Sequence, residues 1–298
     1  MARNGGNVRF VSLGNPLLAF AVILAITTPP LAVPQQGGIK KQESLPADAI
    51  NERIRKDLGE DVDEEEGIRD LFELGDQAVP ALIKLLSDPA EARRGGAARG
   101  LAYIQNQQGM QALRLAVKME RDEQTKSIIS CSLAGGLVDS KSETDLHFLR
   151  SLVEGVHLGD DDQDFPAFCA ALTLGMMGSS DSLPLLRKAA GADLLDSEEI
   201  GKAILWMESQ SNSRLVATEP RLSDEEQIKK IVLEGTFFAQ SEQSKTSVEE
   251  LRFNRQHSKA LVSLEIFNNP KSARGYDLVL AKENGVWRVV GVWLAWIA

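Results

Sequence analysis

A short motif of small residues recurs along this chain and limits it to one kind of packing. Ala97-Ala98-Arg99-Gly100-Leu101 returns as Ala170-Ala171-Leu172-Thr173-Leu174. Beside each copy lies a second helical segment opened by an apolar residue and a proline, Val79-Pro80 in one and Leu183-Pro184 in the other. Alanine and glycine on an inward face let a neighbouring helix approach closely, and proline is tolerated in a first turn, where its missing N–H has no partner to lose. Helix pairs repeated every few tens of residues mark a stacked array, in which each pair buries its apolar face against the next. Such arrays present extended surfaces, so the expectation is a binding protein and not an enzyme.

Apolar spacing predicts first helices over 62–74, 90–105, 122–138, 164–177 and 197–209, and second helices over 78–87, 109–120, 143–155 and 181–191. Leu82, Leu113, Leu149 and Leu186 fall at equivalent points of the second helices, 31, 36 and 37 residues apart. Aligned on them, Ile83, Arg114, Arg150 and Arg187 share one column, and Lys84 and Lys188 fall one residue later. Stacked repeats bring equivalent positions together, so these side chains are expected to form a basic stripe. Arg114, Arg150, Arg187, Lys84 and Lys188 are therefore the candidate binding residues, for an acidic segment of a partner protein or for an envelope polymer. The bland reading is a set of arginines paired with local carboxylates.

The segment Ala78-Val79-Pro80-Ala81-Leu82-Ile83-Lys84-Leu85-Leu86-Ser87-Asp88, with Arg94 beyond it, resembles the HEAT repeat in its short bacterial form. That resemblance implies an α-solenoid whose second helices line a concave surface, with Asp88 and Arg94 in a polar ladder between repeats. One branch of the family acts as bilin lyases, which a C-terminal strand region and an export segment do not suit. A metal-dependent hydroxylase variant relies on His-Glu pairs. His147, His157 and His257 make none.

After a polar linker the periodicity changes. Ser223-Asp224-Glu225-Glu226 reads as a capping box opening a helix, with Ile228, Ile231 and Val232 on its apolar face. Four strand-like runs follow, around Leu251–Arg255, Ala260–Ile266, Tyr276–Leu280 and Val286–Ile297, with Asn284-Gly285 as a hairpin signal between the last two. One helix and four antiparallel strands resemble a small α+β domain of the cystatin or nuclear-transport-factor-two-like type. Such domains can carry a pocket, which makes a small-ligand binder or enzyme seated there the alternative function. Asp277 and Glu265 are its candidate carboxylates, and strand alternation puts both opposite Val262, Leu264, Leu278 and Leu280, where solvent is the expected destination. Trp293 and Trp296 are expected in the sheet's core.

Net charge is -10, with 33 basic against 43 acidic residues, and the first 42 residues carry no acid. An acidic body argues against a nucleic-acid binder. At the N-terminus, Arg3 and Arg9 precede an uncharged run from Phe10 to Ile39 with the apolar block Leu17–Ile26 at its centre, as in an export signal. Prolines bracket the block, so a full span of about 20 helical residues is not expected. The chain is read as exported, periplasmic or extracellular, with this segment removed or kept as a membrane anchor. Cys131 and Cys169 lie on apolar faces of neighbouring repeats and are expected as buried free thiols.

No phosphate-binding loop or nucleophile elbow occurs. The run Asp160-Asp161-Asp162-Gln163-Asp164 lacks the glycine and terminal glutamate of a calcium loop, and no metal or cofactor is implied. The expected organisation is a targeting segment (1–33), a linker with a short helix (34–61), a HEAT-like array (62–209), a linker (210–222) and an α+β domain with a four-stranded antiparallel sheet (223–298).

Overall fold

The computed structural model describes residues 45–58, 64–155, 161–190, 197–209, 222–234, 245–269 and 272–297. The expected targeting segment lies outside them, as do the side chains of the run Asp160–Asp164 and of Trp296. Residues 43–298 form one compact unit. None of the described helices is long and apolar enough to cross a membrane.

Helix α1 (Ala47–Asp57) leads the array. The first helices are α2 (Glu64–Leu74), α4 (Glu91–Ile104), α6 (Glu123–Gly135), α8 (Asp161–Met177) and α10 (Ser197–Ser209). They alternate with the second helices α3 (Val79–Leu85), α5 (Gln107–Met119), α7 (Glu143–Glu154) and α9 (Leu183–Ala190). Local chemistry places the ends: Asn106, Asp122 and Ser142 cap α5, α6 and α7 with side-chain oxygens that accept backbone N–H groups. Pro80 stands in the first turn of α3. Leu82, Leu113, Leu149 and Leu186 are all fully buried, together with Ala97, Ala98, Leu101, Ala170 and Leu174. The small residues do what their recurrence implies. A methyl group at Gly175 would stand 2.6 Å from the Ala203 Cβ, so α8 and α10 meet at a distance that only glycine permits.

Helix α11 (Asp224–Glu234) opens on the expected box: the Ser223 hydroxyl accepts from Glu226 N–H, and the Glu226 carboxylate accepts from Ser223 N–H at 2.8 Å. Strands β1 (Lys245–Phe253), β2 (Lys259–Asn269), β3 (Ser272–Glu283) and β4 (Val286–Ile297) form an antiparallel meander in the order β1-β2-β3-β4. Asn284 and Gly285 both take positive φ in the tight turn between β3 and β4. The first strand begins earlier than its alternation indicated and ends at Phe253, which leaves Arg255 in a turn.

The sheet is a middle layer. Leu251, Val262, Leu278 and Val292 are register partners on the face that packs against Ile228, Ile231 and Val232 of α11. The opposite face lies on the first helices of the array. Its central row is Glu250, Ser263, Asp277 and Trp293, one residue from each strand in direct register. Trp293 Nε1 donates to the Ser132 carbonyl of α6 at 3.1 Å. The approach is so close that a methyl group at Gly135 would overlap the indole of Trp293 and the carbonyl of Val292.

Two expectations are corrected here. Asp277 does not face solvent: alternation assigns its side as expected, but that side is covered by the array, and the residue is only 2% exposed. Glu265 lies on the same side toward the end of the strand and is half-buried. The cysteines are not free thiols: Cys131 of α6 and Cys169 of α8 form a disulfide, their Cα atoms 5.4 Å apart. The tight packing of successive first helices brings them together across 38 residues of sequence. Trp293 is buried in the core, as expected.

Candidate functional site

The side of the array away from the sheet is formed by the second helices, and there the basic residues separate into two sets. Arg114 of α5 reaches into the next repeat, where its Nε and Nη2 donate to the Asp145 carboxylate of α7 at 2.8 and 2.6 Å. Arg150 of α7 does the same, donating at 3.0 Å to Ser182, which stands at the start of the following repeat's second helix. Arg187 of α9 pairs with Glu208 of α10. The three arginines thus form a ladder between repeats. Burial works to raise the Asp145 pKa, but the hydrogen bonds from Arg114 and Ser140 outweigh it and hold the carboxyl below its ordinary range. Arg94 of α4 ties its own helix pair together through two hydrogen bonds to Glu120 at the end of α5, at 2.7 and 3.2 Å, and donates to the backbone carbonyls of Asp88 and Pro89. The Asp88 carboxylate instead accepts from Ala90 N–H at the entry to α4.

A signal for this ladder exists in the sequence. Four residues before each aligned leucine stand Ala78, Gly109, Asp145 and Ser182. A polar partner occurs there when the preceding repeat carries an arginine: Ile83 precedes Gly109, whereas Arg114 precedes Asp145 and Arg150 precedes Ser182.

The second set lies one residue further on. Lys84, Leu115, Ser151 and Lys188 occupy equivalent positions of α3, α5, α7 and α9, and all four are exposed. Leu115 is 59% exposed, and Met119, one turn along α5, is 77% exposed. Along the column Leu115 follows Lys84 and precedes Ser151, and Met119 lies beside it on α5. The outward column is therefore cation, apolar, polar, cation. Of the five candidate residues, Lys84 and Lys188 stand on it, while Arg114, Arg150 and Arg187 lie beside it with their guanidinium groups engaged.

The other concentration of polar chemistry is the seam between the sheet and the array. Asp277 accepts hydrogen bonds from the Tyr103 hydroxyl at 2.7 Å and the Ser263 hydroxyl at 2.6 Å, with the Arg69 guanidinium 3.7 Å away. Burial first, then the Asp277 charge and hydrogen bond, push the Tyr103 phenol well above its ordinary pKa. The adjoining cavity, lined by Arg99, Tyr103, Cys131, Asp277 and Trp293 among others, holds only about 50 Å³. Nearby, Lys259 donates to the carbonyls of Ile104 and Gln105 at the C-terminus of α4, and burial lowers its pKa. An ammonium at that end of a helix meets orphan carbonyls and the negative pole of the dipole, which is a structural use. Among the described residues no group of His, Cys, Asp and Glu is placed to hold a metal ion.

Comparison with known proteins bears on the array. The family model for the PBS lyase HEAT-like repeat matches residues 65–88, the hairpin of α2 and α3. No curated protein and no solved structure matches the chain. HEAT-like repeats generally mediate protein interactions, and the helical repeats followed by a four-stranded antiparallel sheet are the architecture expected from the residues.

Proposed function

We propose that this protein is an exported, non-enzymatic scaffold that binds an acidic segment of a partner protein on the open face of its second helices. One observation carries the reading. The sheet covers the first-helix side of the array, and the face left open bears Leu115 and Met119, 59% and 77% exposed, between Lys84 and Lys188. An apolar centre with a cationic surround fits a partner segment that offers a buried side chain and flanking carboxylates. The Cys131–Cys169 bond supports an oxidising compartment, in keeping with the signal-like N-terminal segment. The C-terminal module is read as a cystatin or nuclear-transport-factor-two-like domain because α11 lies across a four-strand meander. Its role here is to cover and brace the array. A catalytic role for Asp277 is disfavoured, since its oxygens are committed to Tyr103 and Ser263 and the space beside it suits water more than a substrate.

The test is crosslinking of the full-length protein in its own cells, with captured proteins identified by mass spectrometry. Leu115→Asp combined with Lys188→Glu is expected to lower capture of a specific partner about tenfold or more, with thermal stability unchanged. Capture at the wild-type level at ordinary salt would end the proposal. Truncation before the sheet is not a usable control, because it uncovers the first helices around Tyr103 and Ser132.

A further inference from the structure

A hollow of about 350 Å³ opens at the N-terminal end of the array, between α1 and the α3–α4 hairpin. Its floor is apolar, made by Ile54 and Leu58 of the α1 region with Ala81 and Leu85 of α3. Leu58, at the C-terminal cap of α1, reaches α4: a methyl group at Gly96 would press on its side chain at 2.8 Å. The hollow beside that contact is therefore bounded by packed elements.

Its rim carries Arg55, Lys84 and Arg93 against one carboxylate, Asp88. Arg93 stands 3.7 Å from Asp88, and Arg55 pairs with Glu52 on its own helix. Lys84 is exposed and has no ion pair among the described residues. An apolar floor beneath an uncommitted ammonium, on a chain of net charge -10, selects for a group that is itself apolar and negative. Lys84 is also the end member of the exposed column Lys84–Leu115–Ser151–Lys188, so the hollow terminates the proposed docking face.

We infer that this hollow is the anchor pocket of that face: it takes a large apolar side chain from an acidic peptide segment of the partner, with a neighbouring carboxylate on Lys84. The inference rests on the scaffold reading and specifies where the strongest contact falls. Interfaces concentrate their affinity in a few side chains buried in such pockets, and 350 Å³ accommodates one or two.

Phenylbutyrate serves as a minimal probe, an aromatic side chain joined to a carboxylate, with phenylbutylamine as its charge-inverted control. Both are read by displacement of the fluorescent dye anilinonaphthalene sulfonate from the full-length protein. Phenylbutyrate is expected to displace the dye at millimolar concentration and the amine not to. Lys84→Glu, which alters no packing, should weaken phenylbutyrate about tenfold, and Ala81→Trp, which fills the hollow, should abolish displacement. Leu115→Asp, outside the hollow, should leave it intact. The same variants are carried into the cellular crosslinking, where Ala81→Trp and Lys84→Glu should each reduce partner capture. Failure of phenylbutyrate to compete overturns the inference. So does capture that is lost in Leu115→Asp but kept in Ala81→Trp, an outcome that preserves the scaffold reading. Probe binding lost in Ala81→Trp with capture unchanged would make the hollow a small-carboxylate site and overturn its role as anchor. Capture indifferent to every variant would sink the scaffold reading itself.

Discussion

The Tyr103 hydroxyl donates a 2.7 Å hydrogen bond to Asp277 across 174 residues of sequence, joining the middle of the helical array to the third strand of the sheet. Around it run Arg69–Glu250, Arg252–Asp70, Trp293–Ser132 and Arg288–Asp139, so every strand except β2 reaches the first helices through this list, and β2 does so through Lys259. The sheet is thereby part of the array's own core and covers the first-helix face of the solenoid.

Tyr103→Phe should cost about 1–3 kcal/mol in urea unfolding, because it leaves a buried carboxylate short of a donor. The pH dependence has a definite sign. With its folded pKa raised, Tyr103 keeps its proton where the unfolded chain, near pKa 10, loses it. The folded state then binds more protons, so this group's contribution is fully present below about pH 10 and stability falls as pH rises beyond it. Urea midpoints measured from about pH 9 to about pH 11 should fall more gently in Tyr103→Phe than in wild type. Parallel curves would mean that the phenol is solvated.

Loss of the disulfide should matter more than the burial of two small side chains suggests. A bond closing 38 residues restrains the unfolded chain by about 4 kcal/mol in the loop-closure model. Cys131→Ala with Cys169→Ala should lower stability by roughly 2–4 kcal/mol, and a reductant strong enough to open the bond should bring wild type to a similar melting temperature. A wild-type protein indifferent to reductant throughout unfolding would show that the thiols are not joined in solution.

Arg114→Ala should destabilise by roughly 2 kcal/mol at neutral pH, since Asp145 is buried and keeps only Ser140 as a side-chain donor. Asp145 has a depressed folded pKa, so its contribution is present above the unfolded value near 4 and lost as pH falls through the folded one. The unfolding midpoints of wild type and Arg114→Ala should accordingly be far apart at pH 7 and converge on acidification. A separation that persists at low pH would assign the effect to packing of the arginine stem. Arg150→Ala, whose partner Ser182 is neutral, should show the smaller difference at pH 7 and little pH dependence.

The helices were legible because their cues are local. Pro80 and Ser223 act on backbone groups within a few residues, and the aligned leucines repeat with the stacking period; the caps Asn106, Asp122 and Ser142 emerged only with the structure. For the candidate binding residues, the sequence showed which positions are equivalent but not which way each column faces. Each step along a helix rotates the side chain by about 100°, so alignment identified equivalent positions without saying which column turns outward. Neighbouring repeats settle that: Asp145 and Ser182 hold Arg114 and Arg150 against the array, and the outward direction passes to Leu115, Ser151 and their equivalents.

By itself the sequence determined periodicity: which residues form helices, which alternate along strands, and which positions recur from repeat to repeat. Tertiary structure alone decided what lies across each face. Alternation put Asp277 opposite Leu278 and could say no more, because a covered face and a wet one share the same period of two. Likewise Cys131 and Cys169 are two apolar-face residues until α6 and α8 pack. Proximity between distant residues is set by how whole elements stack, and no local pattern records that distance.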